Sequence, residues 1–181
     1  AAFLFGKDRA LGREDIQMQK GCTQLYYGDG KGKTTAAIGQ ALRACGAGKS
    51  ACVYAFLKDN SSSERLARCD VEFYPTPQKL PFLFKMSDEE KAEYAAFAQK
   101  MLADALSSDY DVIVLDEFLD AVSLFDFDYI KSLSFSPDKE YVITGHTEIA
   151  PLFEKADYIT EFKKIRHPFD NGASARQGIE F

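Results

Sequence analysis

A lysine and threonine that close a glycine-rich stretch, and two adjacent acids that end an apolar run, are the residues of this 181-residue chain best suited to chemistry. Residues 27–35 read Tyr-Gly-Asp-Gly-Lys-Gly-Lys-Thr-Thr. An apolar, strand-like run (Leu25, Tyr26, Tyr27) precedes them, and a helix-like one (Ala36, Ala37, Ile38, Ala41, Leu42) follows. A glycine-rich turn between strand and helix turns several backbone N–H groups toward one point, and the helix N-terminus adds partial positive charge there. Lys33 reaches outer phosphates from this position, and the Thr34 hydroxyl can hold a magnesium ion. The expected ligand is a nucleoside triphosphate, held by Gly28, Asp29, Gly30, Lys31, Gly32, Lys33, Thr34 and Thr35.

The loop departs from the usual G-x-x-x-x-G-K-[ST]. Its first glycine would fall at position 27, which is Tyr27, and an additional lysine, Lys31, precedes Gly32. A solvated glycine-rich turn is the competing reading; the strand–turn–helix context favours the phosphate loop.

Val112-Ile113-Val114-Leu115-Asp116-Glu117 supplies the second group. A strand-end aspartate of this kind holds magnesium in phosphate-loop proteins, directly or through water. Glu117 is either a second metal contact or, in a hydrolase, a base for water. A third strand-like run ends in Gly145-His146-Thr147, near the edge where open α/β sheets collect ligands. His146 either touches phosphate or caps the following helix. Arg43, three turns up the helix from Lys33, is a further candidate anion contact, in competition with an ordinary surface charge. The chain shows no convincing His–carboxylate pair.

These residues need a scaffold. Strand-like runs are expected at 23–27, 51–57, 111–116, 140–144 and 157–162. Helix-like runs lie at 33–45, ending at Gly46 as a C-cap, and at 87–106, opened by a Ser87/Glu90 capping box. Tyr94, Phe97, Met101 and Leu102 share a face of the second helix as core packing. Shorter helices are expected near 118–134 and 147–155. Apolar runs such as Val112–Leu115 suit strands buried on both faces. The alternation predicts a three-layer α/β/α domain of the phosphate-loop NTPase (RecA-like) kind, with a mostly parallel sheet. Residues 1–21 read as an N-terminal arm, and 22–181 as a single nucleotide-binding domain.

Residues 58–86 break the rhythm with a polar loop and then Pro75, Pro77 and Pro81. Phe82 and Phe84 follow, either exposed beside a sheet edge, where a large planar ligand can sit, or tucked into the core. The tail carries Arg166, Arg176, a turn at Asp170-Asn171-Gly172 and a short terminal strand.

Composition excludes some classes. Hydrophobic residues make up 46 % of the chain, which suits a globular domain, and the net charge of −6 argues against a general nucleic-acid binder. No apolar run approaches the roughly 20 residues that span a bilayer. Cys22, Cys45, Cys52 and Cys69 form no C-x-x-C pair and read as small buried hydrophobes in a reducing compartment, hence the cytoplasm. On residues alone, three classes compete: an ATP-using transferase, an ATPase or small-molecule kinase, and a nucleotide-binding regulator.

From about Thr23 to Phe181 the chain resembles the phosphate-loop type of ATP:corrinoid (cobalamin) adenosyltransferases. The resemblance rests on Gly-Asp-Gly-Lys-Gly-Lys-Thr-Thr-Ala-Ala at 28–37, Val-Leu-Asp-Glu at 114–117, Val-Ile-Thr-Gly at 142–145, His-Pro-Phe-Asp-Asn-Gly at 167–172 and the closing Gln-Gly-Ile-Glu-Phe. It implies that Co(I) attacks the 5′ carbon of ATP and that tripolyphosphate leaves intact. Magnesium, or manganese, then sits on Thr34, Asp116 and Glu117, and no general base is needed. It also implies a nucleotide lying opposite to the usual direction, a homodimer and a flavodoxin-like reductase. Phe82 and Phe84 match the aromatic loop that expels the lower axial ligand of Co(II) corrinoid. The second position is commonly tryptophan in relatives; phenylalanine keeps apolar bulk but loses the indole N–H. Asp29 stands where asparagine is frequent, and His146 where some relatives carry arginine.

Overall fold

Five short apolar strands and one two-residue strand form a single six-stranded sheet, with every neighbouring pair parallel. The computed structural model describes residues 20–180. The N-terminal arm expected over 1–21 therefore lies, up to residue 19, outside the described residues, as does Phe181. The sheet comprises β1 (Thr23–Tyr27), β2 (Ala51–Ala55), β3 (Glu72–Phe73), β4 (Val112–Asp116), β5 (Glu140–Thr144) and β6 (Tyr158–Glu161), in spatial order β3-β2-β4-β5-β1-β6. The helices are α1 (Lys33–Gly46), α2 (Asp88–Ser107), α3 (Phe118–Ala121), α4 (Phe127–Ser132) and α5 (Ala150–Phe153). This is the expected α/β architecture of a phosphate-loop NTPase-like domain.

The layering follows from alternation along the strands. In β4, Val112 and Val114 face a layer with Ala37, Ala41 and Ala44 of α1. Ile113 and Leu115 face the opposite layer, with Met101 and Leu102 of α2. Both faces are covered, so β2 and β4 are buried throughout, and polar alternation is absent from them. Alanine on the buried stripe of α1 lets the helix lie close over β2, β4 and β5. Each fully buried aliphatic side chain, such as Ile113, contributes about 1.5–3 kcal/mol of transfer free energy.

Several boundaries differ from expectation for identifiable reasons. Strand β2 stops at Ala55 because Leu57 turns into the left-handed region at φ 53°. Gly46 is the last residue of α1, and Gly48, at φ 83°, takes the left-handed role expected of Gly46. The Ser87/Glu90 capping box is present, with the Glu90 amide donating to Ser87 Oγ at 3.2 Å and the Ser87 amide to Glu90 Oε2 at 2.7 Å. The segment 118–134 divides into α3, a 3-10 turn and α4, because Asp126 caps a new helix start through the Asp128 and Tyr129 amides. Strand β3 is too short to be read from periodicity. The tail forms turns rather than the expected terminal strand, held by Arg176 and Glu180. Of the cysteines, Cys52 is buried, Cys22 and Cys45 are partly so, and Cys69 is exposed, so the expectation of four buried thiols holds for one. No helix among the described residues is long and apolar enough to cross a membrane.

Candidate active site

Strands β1, β4 and β5 all end on the same edge of the sheet, and their C-terminal residues converge. From β1 the chain enters the glycine loop, which is pinned by the segment after β6. Gly28 (φ 105°) and Gly30 both press on the Phe162 carbonyl; a Cβ at either would lie 2.6 Å from its oxygen. The Gly30 amide donates to that oxygen at 2.6 Å. Asp29 accepts from the Lys164 amide at 2.9 Å, a bond that holds its carboxyl below the usual aspartate range. The additional glycines are thus explained by close packing of the loop against the chain after β6.

Gly32 (φ 114°) opens α1 without a side-chain cap, and no acid stands in the first turn. The first amides of a 14-residue helix are left for an anion. Lys33 is buried, with Nζ donating to the carbonyls of Gly28 at 2.7 Å and Gly30 at 3.1 Å. Its ammonium is curled over its own loop. Lys31 is exposed and donates to the Ile179 carbonyl at 3.0 Å, which ties the tail to the loop.

Asp116 is 1 % exposed and is the hub of the site. Its Oδ1 accepts from Thr34 Oγ1 at 2.9 Å and from Thr144 Oγ1 at 2.7 Å. Its Oδ2 accepts from Lys58 Nζ at 2.5 Å, and the same Nζ donates to Thr34 Oγ1 at 3.1 Å. Burial alone would lower the Lys58 pKa; the Asp116 carboxylate more than offsets it, and the ammonium stands above the ordinary lysine value. Glu117 has left-handed backbone (φ 57°) and donates its amide to Thr144 Oγ1 at 2.9 Å. Burial, and then the neighbouring Asp116 charge, push the Glu117 carboxyl up to about 7.

His146 lies opposite. Its amide donates to Asp120 Oδ2 at 2.8 Å and its Nδ1 lies 2.9 Å from the same oxygen, with Glu117 Oε2 at 3.6 Å. Burial opposes ionisation of Asp120, and the hydrogen bonds from His146 and Glu117 outweigh it, so its pKa is lowered. The absence of a His–carboxylate pair, read from the sequence, is therefore corrected. Asp120 and His146 are 26 positions apart, and only the adjacency of α3 to the end of β5 joins them.

A cavity of about 780 Å³ unites these groups. Loop residues 29–35, Lys58, Glu117, His146 and the tail residues Gly178–Glu180 line it, and Leu80, Pro81 and Phe82 close one side. Thr35 faces it from the exposed side of α1. Phe82 and Phe84 are 70 % and 78 % exposed, which decides against the core alternative. Their rings stack with centroids 5.5 Å apart, and Lys85 Nζ lies 5.7 Å from each. Phe82 belongs to the cavity wall, whereas Phe84 lines a shallower hollow with Leu83, Lys91, Ser123 and Leu124. Arg43 sits in the last turn of α1, exposed and outside the cavity wall, about 15 Å along the axis from Lys33 at 1.5 Å per residue.

The profile of the family described as ATP:corrinoid adenosyltransferase BtuR/CobO/CobP matches residues 19–181. The chain belongs to this family. It is 34 % identical over 191 residues to the corrinoid adenosyltransferase CobA of Salmonella typhimurium, covering 97 % of this chain and 93 % of that protein. It is 33 % identical over 178 residues to the corrinoid adenosyltransferase of Escherichia coli K12, with 91 % and 88 % covered. A Sinorhizobium corrinoid adenosyltransferase is 29 % identical over 174 residues, with 90 % and 81 % covered.

Within this family fold, two site residues escaped the motif reading. Lys58 sits in a polar loop with no pattern around it. Its signal is positional: it follows β2, the strand paired with β4 in the register Ala55↔Asp116. Asp120 follows the strand-end acids by one helical turn, a spacing that α3 creates.

Proposed function

We propose that this adenosyltransferase-family chain joins the 5′ carbon of ATP to the cobalt of a reduced corrinoid and releases tripolyphosphate. The electron pair of Co(I) forms the Co–C5′ bond. The C5′–O5′ bond breaks, and its pair leaves on the triphosphate oxygen. No proton moves, so the site has to position the two substrates and neutralise the departing charge. The observation that supports this best is one cavity with a phosphate loop at one side and exposed Phe82 at the other.

Lys33, Lys31 and the free α1 amides are the groups assigned to the triphosphate. Lys33 already holds its ammonium over the loop, on the Gly28 and Gly30 carbonyls, from where phosphate oxygens can draw it away. Thr34, Asp116 and Glu117 offer hard oxygen donors that already draw an ammonium between them, which fits magnesium or manganese. Such an ion supplies Lewis-acid neutralisation of the leaving group. Phe82 and Phe84 present a stacked apolar surface to the corrinoid and favour loss of its lower ligand by excluding water and polar groups. A homodimer and a flavodoxin-like electron donor belong to the same proposal on the resemblance alone, and a cytoplasmic setting on the four free cysteines.

Hydrolysis is the second reading, favoured by the His146–Asp120 pair and by Glu117 with its raised pKa. Incubation with magnesium-ATP and chemically reduced cob(I)alamin separates the two. Adenosylated corrinoid with stoichiometric tripolyphosphate is expected. Orthophosphate without an alkylated corrinoid would establish the ATPase instead.

A further inference from the structure

The cation between Thr34 and Asp116 is a side chain of the protein itself. Lys58 Nζ lies 2.5 Å from Asp116 Oδ2, 3.1 Å from Thr34 Oγ1 and 4.0 Å from Glu117 Oε1. These are the three residues assigned to the metal in the proposed function. The Asp116 side chain is 2 % exposed, so it needs a compensating charge at all times. A divalent ion at the same oxygens would repel the ammonium at contact distance in a poorly screened environment. The two cations are therefore alternatives at the Asp116 carboxylate.

The backbone holds Lys58 where it can make this exchange. Leu57 immediately before it is left-handed at φ 53°, a conformation a leucine adopts only under constraint. Its amide donates to the buried Tyr94 hydroxyl at 2.6 Å. Glu117 is the other non-glycine residue with positive φ among those described, and it follows the Asp116 that β4 sets beside β2. Both left-handed residues thus adjoin the ion pair, one on each strand end. The Lys58 side chain is still 28 % exposed and lines the same cavity as the glycine loop.

We propose that Lys58 is a tethered cation that fills the metal position between Thr34 and Asp116 until the metal arrives, and then passes to phosphate oxygens in the same cavity. The exchange couples the two occupants. Metal alone must evict a paired lysine and leave it without an anion. Metal together with a triphosphate supplies that anion, so the pair binds better than either component. The inference rests on the site reading given above and adds a residue to it.

The test is the affinity of the nucleotide-free protein for Mn²⁺, read from the electron paramagnetic resonance signal of the free ion. Lys58→Met should bind Mn²⁺ about tenfold more tightly than the parent chain, because one opposing charge is gone. Lys58→Arg, which keeps the charge, should stay close to the parent. Metal-free ATP should bind Lys58→Met less well than the parent. Unchanged or weaker Mn²⁺ binding by Lys58→Met would overturn the proposal. If Lys58→Met is unstable without metal, graded Mn²⁺ should raise its thermal midpoint more than that of the parent; an equal or smaller rise overturns the proposal as well. Adenosylation is assayed separately. A gain in Mn²⁺ affinity in Lys58→Met, with no adenosylated product from the parent chain, would sink the transferase reading and leave the role of Lys58 intact.

Discussion

The Gly30 amide donates to the Phe162 carbonyl oxygen at 2.6 Å, and a Cβ on Gly30 would lie 2.6 Å from that same oxygen. The phosphate loop is therefore clamped by backbone that follows β6, and the glycine is required by contact with a rigid neighbour. Gly30→Ala should destabilise the protein by about 1–3 kcal/mol through forced backbone shifts. It should also raise the KM for ATP on the proposed function, because the shifted backbone leads directly into Lys33 and the start of α1. Thermal unfolding together with steady-state kinetics checks both. A variant with normal stability and normal KM would refute the clamp.

Lys33 has two partners in the loop, the Gly28 and Gly30 carbonyls. Lys33→Met keeps the buried stem and removes the charge, leaving two carbonyls without a donor. A loss of about 1–3 kcal/mol is expected in urea unfolding. ATP binding by calorimetry should fall below detection. Retained ATP affinity would remove Lys33 from the site.

Phe82 and Phe84 pack on each other and on little else. Phe82→Ala and Phe84→Ala should each change stability by less than about 0.5 kcal/mol, as exposed positions do. Both should slow adenosylation that starts from Co(II) corrinoid and a reductase more than adenosylation from preformed Co(I). Equal slowing in the two assays would argue against lower-ligand expulsion. Because Phe82, unlike Phe84, lines the large cavity, its variant should also weaken binding of the Co(I) corrinoid more than the Phe84 variant does.

Tyr94 supports the site from beneath. Its hydroxyl accepts the Leu57 amide at 2.6 Å and fixes the turn that carries Lys58. Tyr94→Phe leaves a partly buried N–H without an acceptor, which costs about 1–3 kcal/mol. Hydrogen exchange at Leu57 should accelerate while exchange in β4 stays protected. Unaltered exchange at Leu57 would show that the turn holds without this bond.

Tyr110 donates to Glu72 Oε2 at 2.7 Å, and this bond, with burial second, raises the Tyr110 pKa above its ordinary value of 10.0. The folded protein keeps the phenol proton where the unfolded chain releases it. Stability from this pair is thus complete below about pH 10 and declines as pH rises beyond it. Tyr110→Phe should flatten the alkaline limb of unfolding free energy against pH. An identical slope in the parent and the variant would contradict it.

Legibility in the sequence varied with the range of the interactions involved. Gly32-Lys33-Thr34 and Asp116-Glu117 were readable because each is a contiguous motif, at a helix start and a strand end respectively. The Ser87/Glu90 capping box was readable for the same reason. Lys58 and Asp120 were not, since each acquires its role from a residue on another strand. The even choice over Phe82 and Phe84 shows a similar limit: hydrophobicity identifies a residue that benefits from burial, and a 3-10 turn on the surface denied it to both. Arg43 fell on the wrong side of a simple length argument, because three helical turns carry it away from the loop.

The sequence by itself determined the alternating strands and helices, the phosphate loop, the strand-end acids and the family, all of which are encoded by local pattern and spacing. The tertiary structure decided what surrounds them. Parallel pairing of β2 with β4 brings Lys58 onto Asp116, and α3 against the end of β5 brings Asp120 onto His146. The return of the chain after β6 sets Phe162 against Gly28 and Gly30. Each is a contact between residues far apart in the chain, and such contacts are fixed by strand order and burial of a two-sided sheet, for which no short motif exists.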